Sequence, residues 1–509
     1  MLSKKDIKQI EDQGLSFEKV FKQIDYLTQG IPPVEIVTAA MVGNGVEVIP
    51  HKARQKLIDI YESERKGLDI VKFVPASGAA TRMFKFLHEF LDDYDPEKEP
   101  LVKYLRRERP REVTRFLNSL NDFPFANGVK KKIRENYPDY KRSTKGMRAK
   151  IFIKSMLEEQ GMDFDSLPKG LIPFHKYAKY ATTAFEEQLY EAAQYASVKD
   201  EAYIHFTFSE KHLPYFREEF EAVKKRVSKK TKTEFHISYS FQKRSTDTLA
   251  FSNENILLRD AQGDLVFRPS GHGALLENLD DVDADVIFIK NIDNVAAEEY
   301  IDETAYYKKI LAGKLIWLQK KIFAYLELLS KDGLEEQTFK EIRSFLWNEL
   351  NIKDIPTDNE TLFGLLDRPL RVCGVVKNTG DPGGGPFWVK GEDGSTTLQI
   401  VEMSQIDMEN SHQSALIAEA THFNPVDIVC GIRDYKGDKY ELSTFADHSS
   451  GFIAQKSWNG KKIKALELPG LWNGAMARWN TVFVEVPRIT FNPVKTVNDL
   501  LNKEHRPNA

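Results

Sequence analysis

The sequence has few cysteines, no excess of either charge and no long apolar run. Its two cysteines, Cys373 and Cys430, provide neither a disulfide framework nor a metal-ligand spacing, which is typical of proteins in a reducing cytosol. The 72 basic and 76 acidic residues leave a net charge of −4, so the basic character of a nucleic-acid-binding protein is missing. The apolar runs are shorter than the roughly 18 to 20 residues that span a bilayer, and the N-terminus has no apolar signal core. These absences predict a cytoplasmic protein without nucleic-acid or membrane partners.

The remaining composition is that of a globular chain. Of its 509 residues, 41% are hydrophobic and 29% are charged, which is enough for two or more packed units. Short β-branched and aromatic runs, such as EAYIHFTF and ADVIFIKNI, alternate with helical segments. This alternation predicts an α/β fold with a largely parallel sheet.

Four regions are predicted along the chain. Residues 1–68 form a helical brace, and residues 69–300 form the core, interrupted by a helical insert over about 88–161. Residues 301–368 form a second helical insertion. Residues 369–509 are rich in strand patterns and form the C-terminal part.

A loop of small residues, PASGAATRMFK, lies between a predicted strand and a predicted helix. Backbone N–H groups at such a turn, together with the helix dipole, favour an anion. Residues 77–80 would keep Cβ bulk away from a phosphate, and Arg82 and Lys85 would add mobile cations. The same small residues also suit tight packing of a helix on a sheet, so both interpretations stay open. The loop matches neither the P-loop nor the GxGxxG pattern.

A second segment, PKGLIP, places Lys169 in a loop ahead of a helix predicted to run to Ala196. The two loops together resemble those of nucleotidyltransferases that make nucleotide sugars, which have the forms xxGxGTRM and PKxLLP. Further landmarks follow in the order of the UDP-sugar pyrophosphorylase branch, namely SYSFQKR, FRPSGHGALLENL, FIKNIDN and FNPVKTVNDLL. The full chain also resembles a bacterial family of about this length that is described as a domain of unknown function.

The resemblance implies a fold and a reaction. The implied fold is GT-A-like and Rossmann-related, with a mixed, mostly parallel sheet flanked by helices, helical insertions and a β-rich C-terminal region. The implied substrates are a nucleoside triphosphate and a sugar 1-phosphate, with Mg²⁺ as cofactor. UTP is the favoured nucleotide, because the later landmarks belong to the uridylyl branch.

The resemblance also implies roles for particular residues. The triphosphate would be held by Ser77, Gly78, Ala79, Ala80, Thr81 and Arg82. Arg82 would balance the charge of the departing pyrophosphate, and Lys169 would neutralise phosphate near the sugar. Lys495, in FNPVK, would reach back to a phosphate from the C-terminal part. The metal ligand would be Asp293.

The nucleotide base has its own set of implied residues. Gln242 and Gly271 would lie near the base, and His272 would lie close to the nucleotide or the sugar. Two features depart from the branch pattern: Ala79 and Ala80 replace its second glycine pair, and the insert between the two loops is unusually long. These departures concern the identity of the substrate more than the type of reaction.

Two other functions stay open. One is a regulator that binds a nucleotide or a sugar on the same fold without catalysis. The other is a glycosyltransferase that uses a nucleotide sugar, for which Asp281-Val282-Asp283 offers a DxD pattern, although the pattern precedes its strand. Asp293 could also be a turn residue and Lys495 a surface cation.

Overall fold

A computed structural model describes residues 2–78, 80–331, 334–356, 358–380, 383–391 and 394–507, apart from the side chains of His272 and Ser457. The chain divides into two compact units. Unit 1 comprises Met1–Phe73, Tyr239–Ile289 and Tyr306–Arg488, and unit 2 comprises Val74–Ser238, Lys290–Ala305 and Ile489–Ala509. Each unit therefore gathers three separate stretches of sequence.

Helices occur along the whole chain. They are α1 Lys4–Asp12, α2 Phe17–Gln29, α3 His51–Glu64, α4 Lys85–Asp93, α5 Leu101–Glu108, α6 Arg111–Asn118, α7 Ala126–Asn136, α8 Lys145–Leu157, α9 Ala184–Tyr195, α10 Leu213–Thr231, α11 Leu275–Asp280, α12 Ile301–Leu329, α13 Glu336–Glu349, α14 Asn359–Leu366 and α15 Ser411–Ala418. None of the helices among the described residues is long and apolar enough to cross a bilayer.

Strands are concentrated outside the predicted helical insert over about 88–161 and the predicted second insertion over 301–368. They are β1 Ile36–Ala39, β2 Met41–Val42, β3 Gly45–Glu47, β4 Ile70–Pro75, β5 Pro173–Lys176, β6 Ala181–Thr183, β7 Ser197–Val198, β8 Glu201–Phe208, β9 Glu234–Phe241, β10 Thr248–Ser252, β11 Phe267–Arg268, β12 Val286–Ile289, β13 Leu370–Val375, β14 Gly385–Lys390, β15 Thr396–Val401, β16 Asp427–Gly431, β17 Phe452–Trp458, β18 Lys461–Glu467 and β19 Asn480–Glu485.

Unit 1 is built around a mixed sheet with the strand order β2-β3-β19-β13-β16-β12-β4. Its parallel pairs are β2/β3, β3/β19, β19/β13 and β12/β4, whereas β16 runs antiparallel to both of its neighbours. Strands β12, β13 and β16 are buried along their whole length, as expected for a sheet covered on both faces. Fully buried side chains from five strands meet in one core, namely Phe73, Ile287, Cys373, Ile428 and Phe483.

Two smaller sheets complete unit 1. One has the order β1-β14-β15, and the other has the order β11-β10-β18-β17. The N-terminal helices pack on the second of these sheets, where Val20 and Leu27 of α2 share a cluster with Phe251 and Leu466. Most strands of these two sheets come from the last 140 or so residues, so the predicted β-rich C-terminal region is confirmed.

Unit 2 contains β8, which pairs with β7 and with β9. Helices α9 and α10 pack on β8 through aromatic side chains: the rings of Phe185 and Phe206 lie 4.7 Å apart, and those of Phe208 and Phe216 stack at 4.2 Å. Each such aromatic pair contributes about 0.5–1.5 kcal/mol of stability beyond the contribution from burying its apolar area. The end of β4 lies beside β8, where the Ala76 N–H donates to the carbonyl of Thr207 at 2.8 Å.

The predicted fold class is confirmed: the protein is α/β with a mixed, mostly parallel sheet, helical insertions and a β-rich C-terminal region. Helices α5 to α8 lie within the predicted insert, and α12 and α13 lie within the predicted second insertion. Two local features were not predicted. Residues 36–47 carry the strands β1 to β3, and a β5–β6 hairpin separates Lys169 from α9. The predicted boundaries between the four regions stay predictions.

Candidate functional site

The loop after β4 has the predicted strand–turn–helix form. Ser77 and Gly78 are exposed, and a 3₁₀ helix over Ala80–Phe84 leads directly into α4. Thr81 and Arg82 point to solvent on this short helix, whereas Met83 and Phe84 are buried and anchor it. The loop therefore presents its backbone and a cation at the surface of unit 2. Ala79, one of the predicted phosphate-loop residues, lies outside the described residues.

Gly78 is not required by packing. A Cβ built on Gly78 would meet nothing within 4 Å, and the backbone of this residue does not lie in the left-handed region. The interpretation of the loop as a packing turn therefore does not hold at this position. Open space beside a backbone that lacks a side chain is what a closely approaching ligand needs.

Lys169 lies against this loop. Its N–H donates to the carbonyl of Gly78 at 3.2 Å, and its Nζ donates to Oδ2 of Asp293 at 2.6 Å. The next residue is a glycine because a Cβ on Gly170 would lie only 2.9 Å from Cγ1 of Ile292. The side chains of Lys169 and Asp293 are 14% and 19% exposed, so the ion pair is largely shielded but still reachable from solvent.

Asp293 lies in the turn that follows β12, and this turn is fixed from two sides. The Ile292 N–H donates to the carbonyl of Pro75 at 3.1 Å, at the end of β4. From the other side, the amide of Gln188 on α9 donates to the carbonyls of Asn291 and Ile292 at 3.0 and 3.2 Å. The carboxylate of Asp293 is therefore held by backbone contacts on both sides and not by a flexible loop.

The C-terminal segment 489–507 also reaches this turn. The Val494 N–H donates to the carbonyl of Asp293 at 3.3 Å, next to a β-bridge between Asn294 and Pro493. The Asn294 side chain accepts from the Asn492 N–H at 2.8 Å, and it donates to the carbonyl of Thr490 at 3.3 Å. Lys495 follows directly, and its side chain is exposed. Residues more than 400 positions apart in the sequence are thus joined by a continuous set of backbone contacts.

The candidate site carries both cationic side chains and a carboxylate. Lys169 pairs with the Asp293 carboxylate, Arg82 is exposed on the loop that Lys169 contacts, and Lys495 follows the residue whose N–H donates to Asp293. Exposed backbone N–H groups and cations around one carboxylate can bind a polyanion such as a polyphosphate.

A buried polar network holds the end of the segment. Nδ1 of His175 lies 2.8 Å from Oε1 of Glu187, and Nε2 of His175 lies 3.0 Å from Nδ1 of His505. Tyr177 donates to the same Glu187 oxygen at 3.1 Å, and Thr182 also donates to it. Burial, together with the neighbouring His175, lowers the pKa of His505 to about 3. Burial and the Glu187 carboxylate raise the pKa of Tyr177 well above its ordinary value.

The residues predicted for the nucleotide base belong to unit 1. The Gln242 amide lies 3.5 Å from Oδ1 of Asp247, a weak contact within its own loop. Gly271 has a φ of +62°, which favours glycine, and a Cβ on Gly273 would lie 2.6 Å from the carbonyl of Leu468. The backbone conformation at Gly271 and the close packing at Gly273 therefore explain why both positions are glycine. The His272 side chain lies outside the described part of the structure.

Three supporting residues were missed at the sequence level. Asn294 was present in the NIDN landmark, which could have pointed to it, but only Asp293 was given a role. Gly170 follows Lys169 in PKGLIP and could have been recognised as a position of close approach. Gln188 has no local signal, because its role arises only where α9 passes the turn before Asp293.

The aspartates of the competing DxD pattern form ion pairs with basic residues of unit 1. Asp281 pairs with Lys243 at 2.7 Å, and Asp283 pairs with Arg433. Both aspartates follow α11 and precede β12, so they do not lie at a strand end. Each already has a cationic partner at the surface of unit 1.

Comparisons with solved structures reveal similar chains. The uridine diphosphate N-acetylglucosamine pyrophosphorylase from Trypanosoma brucei shares 11% identity over 95% of this chain and 74% of its own, with a TM-score of 0.46. A UDP-glucose pyrophosphorylase variant from Leishmania major shares 13% identity over 100% of this chain and 80% of its own, with a TM-score of 0.44. A UDP-glucose phosphorylase from Trypanosoma brucei shares 12% identity over 98% and 80%, with a TM-score of 0.46.

Sequence comparison gives a different kind of match. No curated protein matches the chain. The family model described as Domain of unknown function (DUF4301) matches residues 3–506. Because this match spans nearly the whole chain, the protein belongs to the family described as Domain of unknown function (DUF4301).

Proposed function

We propose that the protein is a nucleotidyltransferase that couples a sugar 1-phosphate to a nucleoside triphosphate, with UTP as the nucleotide, and releases pyrophosphate. The observation that carries this proposal is the 2.6 Å contact between Lys169 and Asp293, tied by backbone hydrogen bonds to Gly78 and Val494. These contacts join four sequence landmarks that resemble the pyrophosphorylase pattern. A packing turn or an isolated surface cation would not require all four to meet.

The reaction needs positioning and charge neutralisation more than a protein nucleophile. An oxygen of the sugar phosphate attacks the α-phosphorus, and the bond from this phosphorus to the β,γ-pyrophosphate oxygen breaks. Two polyanions must approach each other, so cations that neutralise their oxygens lower the barrier. Arg82 and the N–H groups of residues 77–81 would hold the departing pyrophosphate. Lys169 and Lys495 would neutralise phosphate oxygens nearer the sugar.

The donor set fits Mg²⁺. Mg²⁺ is commonly held by one or two carboxylates together with substrate phosphates and water, and Asp293 supplies one partly exposed carboxylate beside the phosphate loop. Asp293 would hold the ion, which when bound would supply positive charge to the substrate phosphates. Lys169 compensates the charge of the Asp293 carboxylate, which keeps the partly buried aspartate paired.

The two alternatives differ in their products. A regulator would bind nucleotide without turnover, and a glycosyltransferase would release a nucleoside diphosphate from a nucleotide sugar. The ion pairs of Asp281 and Asp283 with Lys243 and Arg433 weigh against the glycosyltransferase. A regulator that only binds a nucleotide need not combine a carboxylate such as Asp293 with cations such as Lys169 and Lys495.

The decisive experiment is a pyrophosphate-release screen. Four nucleoside triphosphates are tested against a panel of sugar 1-phosphates, with and without Mg²⁺. We expect Mg²⁺-dependent release that is lost in Lys169→Ala and kept in Lys179→Ala, which removes an exposed lysine from a neighbouring turn. Nucleotide binding without pyrophosphate release from any pair would favour the regulator, and nucleoside diphosphate release would favour the glycosyltransferase.

The proposed partners are small molecules. The balanced charge lacks the basic character of a nucleic-acid-binding protein, and a cytoplasmic location is proposed from the low cysteine content.

A further inference from the structure

A second cluster of metal-ligating groups lies in unit 2, at the start of β8 and β9. Glu201 is the first residue of β8, Glu234 is the first residue of β9, and His236 follows two residues later. Because side chains alternate along a strand, Glu234 and His236 share one face of β9. One ligand atom from each of the three residues lies within 4.8 Å of the other two.

The distances suit a small divalent cation. Nε2 of His236 lies 3.6 Å from Oε2 of Glu201, too far for a hydrogen bond, and Nε2 has no hydrogen-bond partner. Two ligands that are each about 2.0–2.2 Å from a tetrahedral Zn²⁺ ion lie about 3.3–3.6 Å apart. The histidine nitrogen and the carboxylate oxygen therefore have the spacing of two ligands of one metal ion.

The ligands are held in place by neighbours. The His236 ring stacks on Tyr203, with centroids 4.5 Å apart and planes 15° from parallel. The Tyr203 hydroxyl donates to Oε2 of Glu201 at 3.0 Å, an outer contact of the kind that orients ligating carboxylates. The Glu234 N–H donates to the carbonyl of Asp200 at 2.8 Å, which fixes the start of β9 beside the start of β8. The three ligands are thus positioned by the strands and not by a loose loop.

The cluster also lacks a basic partner. Among the residues that the structure describes, no lysine or arginine nitrogen lies within 4.0 Å of either carboxylate. The side chains of His236 and Glu201 are 39% and 46% exposed, whereas the Nε2 atom of His236 is itself shielded from solvent. Two neighbouring carboxylates without a cation repel each other, and a bound divalent ion would remove this repulsion.

We propose that Glu201, Glu234 and His236 bind one Zn²⁺ ion, with solvent completing the coordination. An imidazole nitrogen with carboxylate oxygens suits Zn²⁺, whereas Mg²⁺ prefers an all-oxygen environment. This site is separate from the group around Asp293. Glu201 lies six residues before Thr207, whose carbonyl contacts the end of β4, so about 20 Å of strand separates the two sites. The ion pins the starts of β8 and β9 to each other.

The test is Zn²⁺ titration of the metal-free full-length protein by calorimetry, with Mg²⁺ in excess throughout to cover the Asp293 group. We expect one equivalent of Zn²⁺ at micromolar concentration and an upward shift of the thermal midpoint. His236→Ala and Glu234→Gln should each weaken binding at least tenfold. The matched control is His205→Ala, which removes a histidine two residues past Tyr203 on β8 that contacts Ser238 instead.

A second readout keeps the proposal falsifiable if one variant is poorly folded. Co²⁺ added in place of Zn²⁺ should give visible absorption in the wild type and in His205→Ala, and Glu201→Gln should lose it. The proposal is overturned if wild-type protein binds no Zn²⁺, or if His236→Ala and Glu234→Gln bind it as tightly as wild type does. Circular dichroism without metal identifies any variant whose loss of binding comes from misfolding.

Discussion

At the scale of single residues, the ion pair between Lys169 and Asp293 is the central feature of the candidate site. It is partly shielded, and each partner is held by backbone contacts to another element. A lysine and an aspartate in such a position are poised to respond to a ligand of either sign. A phosphate would bind to Lys169, and a divalent cation would bind to Asp293.

Replacing Asp293 tests the metal assignment. Asp293→Asn keeps the size of the side chain and an oxygen that can accept from Lys169, so we expect an intact fold by circular dichroism. Turnover dependent on Mg²⁺ should fall on the order of a hundredfold, the usual effect of removing one preorganised electrostatic group. The control is Asp139→Asn, which breaks only an exposed contact with Arg142. Wild-type turnover by Asp293→Asn at limiting Mg²⁺ would make this carboxylate a structural group.

Replacing Lys495 tests the role of the C-terminal segment. Lys495→Ala should lower kcat/KM by roughly ten- to 150-fold, because a charge-assisted bond to a phosphate is worth about 1.5–3 kcal/mol. The thermal midpoint should hardly change, since the side chain is exposed. Lys503→Ala, at an exposed position of the same segment, is the control and should leave kcat/KM unchanged. Unchanged catalysis in Lys495→Ala would make it a surface cation, and a large drop in the midpoint would make it a structural partner.

At the scale of elements, the two glycines of the candidate site differ in the space that surrounds them. Gly78 faces open space, whereas a Cβ on Gly170 would lie 2.9 Å from Cγ1 of Ile292. We therefore expect Gly78→Ala to keep its thermal midpoint while pyrophosphate release falls. Gly170→Ala should instead lose about 1–3 kcal/mol of unfolding free energy through overpacking. Urea unfolding of both variants separates the two effects, and equal destabilisation would show that Gly78 is also a packing residue.

The C-terminal segment depends on a neutral His505. The pKa of this group is about 3 in the folded protein, below the value of 6.5 for an unperturbed histidine. Between these values the unfolded chain binds more protons, so the stability from a neutral His505 is complete above pH 6.5. It is lost as the pH falls toward 3, by about 2 kcal/mol at pH 5 for a single group.

The measurement is the unfolding free energy of wild type and His505→Gln between pH 7 and pH 5. We expect the variant to be less stable at pH 7 but to lose less stability on acidification. His412→Gln, at an exposed position, should follow the wild type. Parallel pH profiles for wild type and His505→Gln would show that His505 does not carry this dependence.

At the scale of the whole molecule, the chain contributes to the proposed reaction from widely separated positions. The residues of the candidate phosphate and metal site come from the three stretches of sequence that form unit 2. The residues predicted for the base come from a stretch of unit 1. The preference for one nucleotide base therefore tests whether these separate stretches serve the same reaction. UTP should exceed ATP and GTP by roughly five- to 150-fold in kcat/KM, because a mismatched base leaves a buried polar group unpaired at about 1–3 kcal/mol. Faster turnover with GTP or ATP would overturn the uridylyl assignment.

The sequence by itself determined the fold class and the positions of the landmarks. Strand and helix patterns are local: VIFI is apolar on every residue, and the prolines at 110, 124 and 138 divide the first insert into short helices. Residues such as Lys169 and Asp293 could be named because their neighbours in the sequence form motifs. The short strands over residues 36–47 were missed because they are defined by pairing with β14 and β19, which lie far away in the chain.

Only the tertiary structure decided which landmarks meet. Nothing local in PKGLIP or FNPVK shows that Lys169 pairs with Asp293, or that Val494 bonds to the carbonyl of Asp293. The same holds for Gln188, whose amide serves a turn more than 100 residues away. These contacts arise because the ends of β4, β8 and β12 and the final segment of the chain converge. The physical reason is that local patterns specify elements, whereas side chains from distant elements become neighbours only when those elements pack.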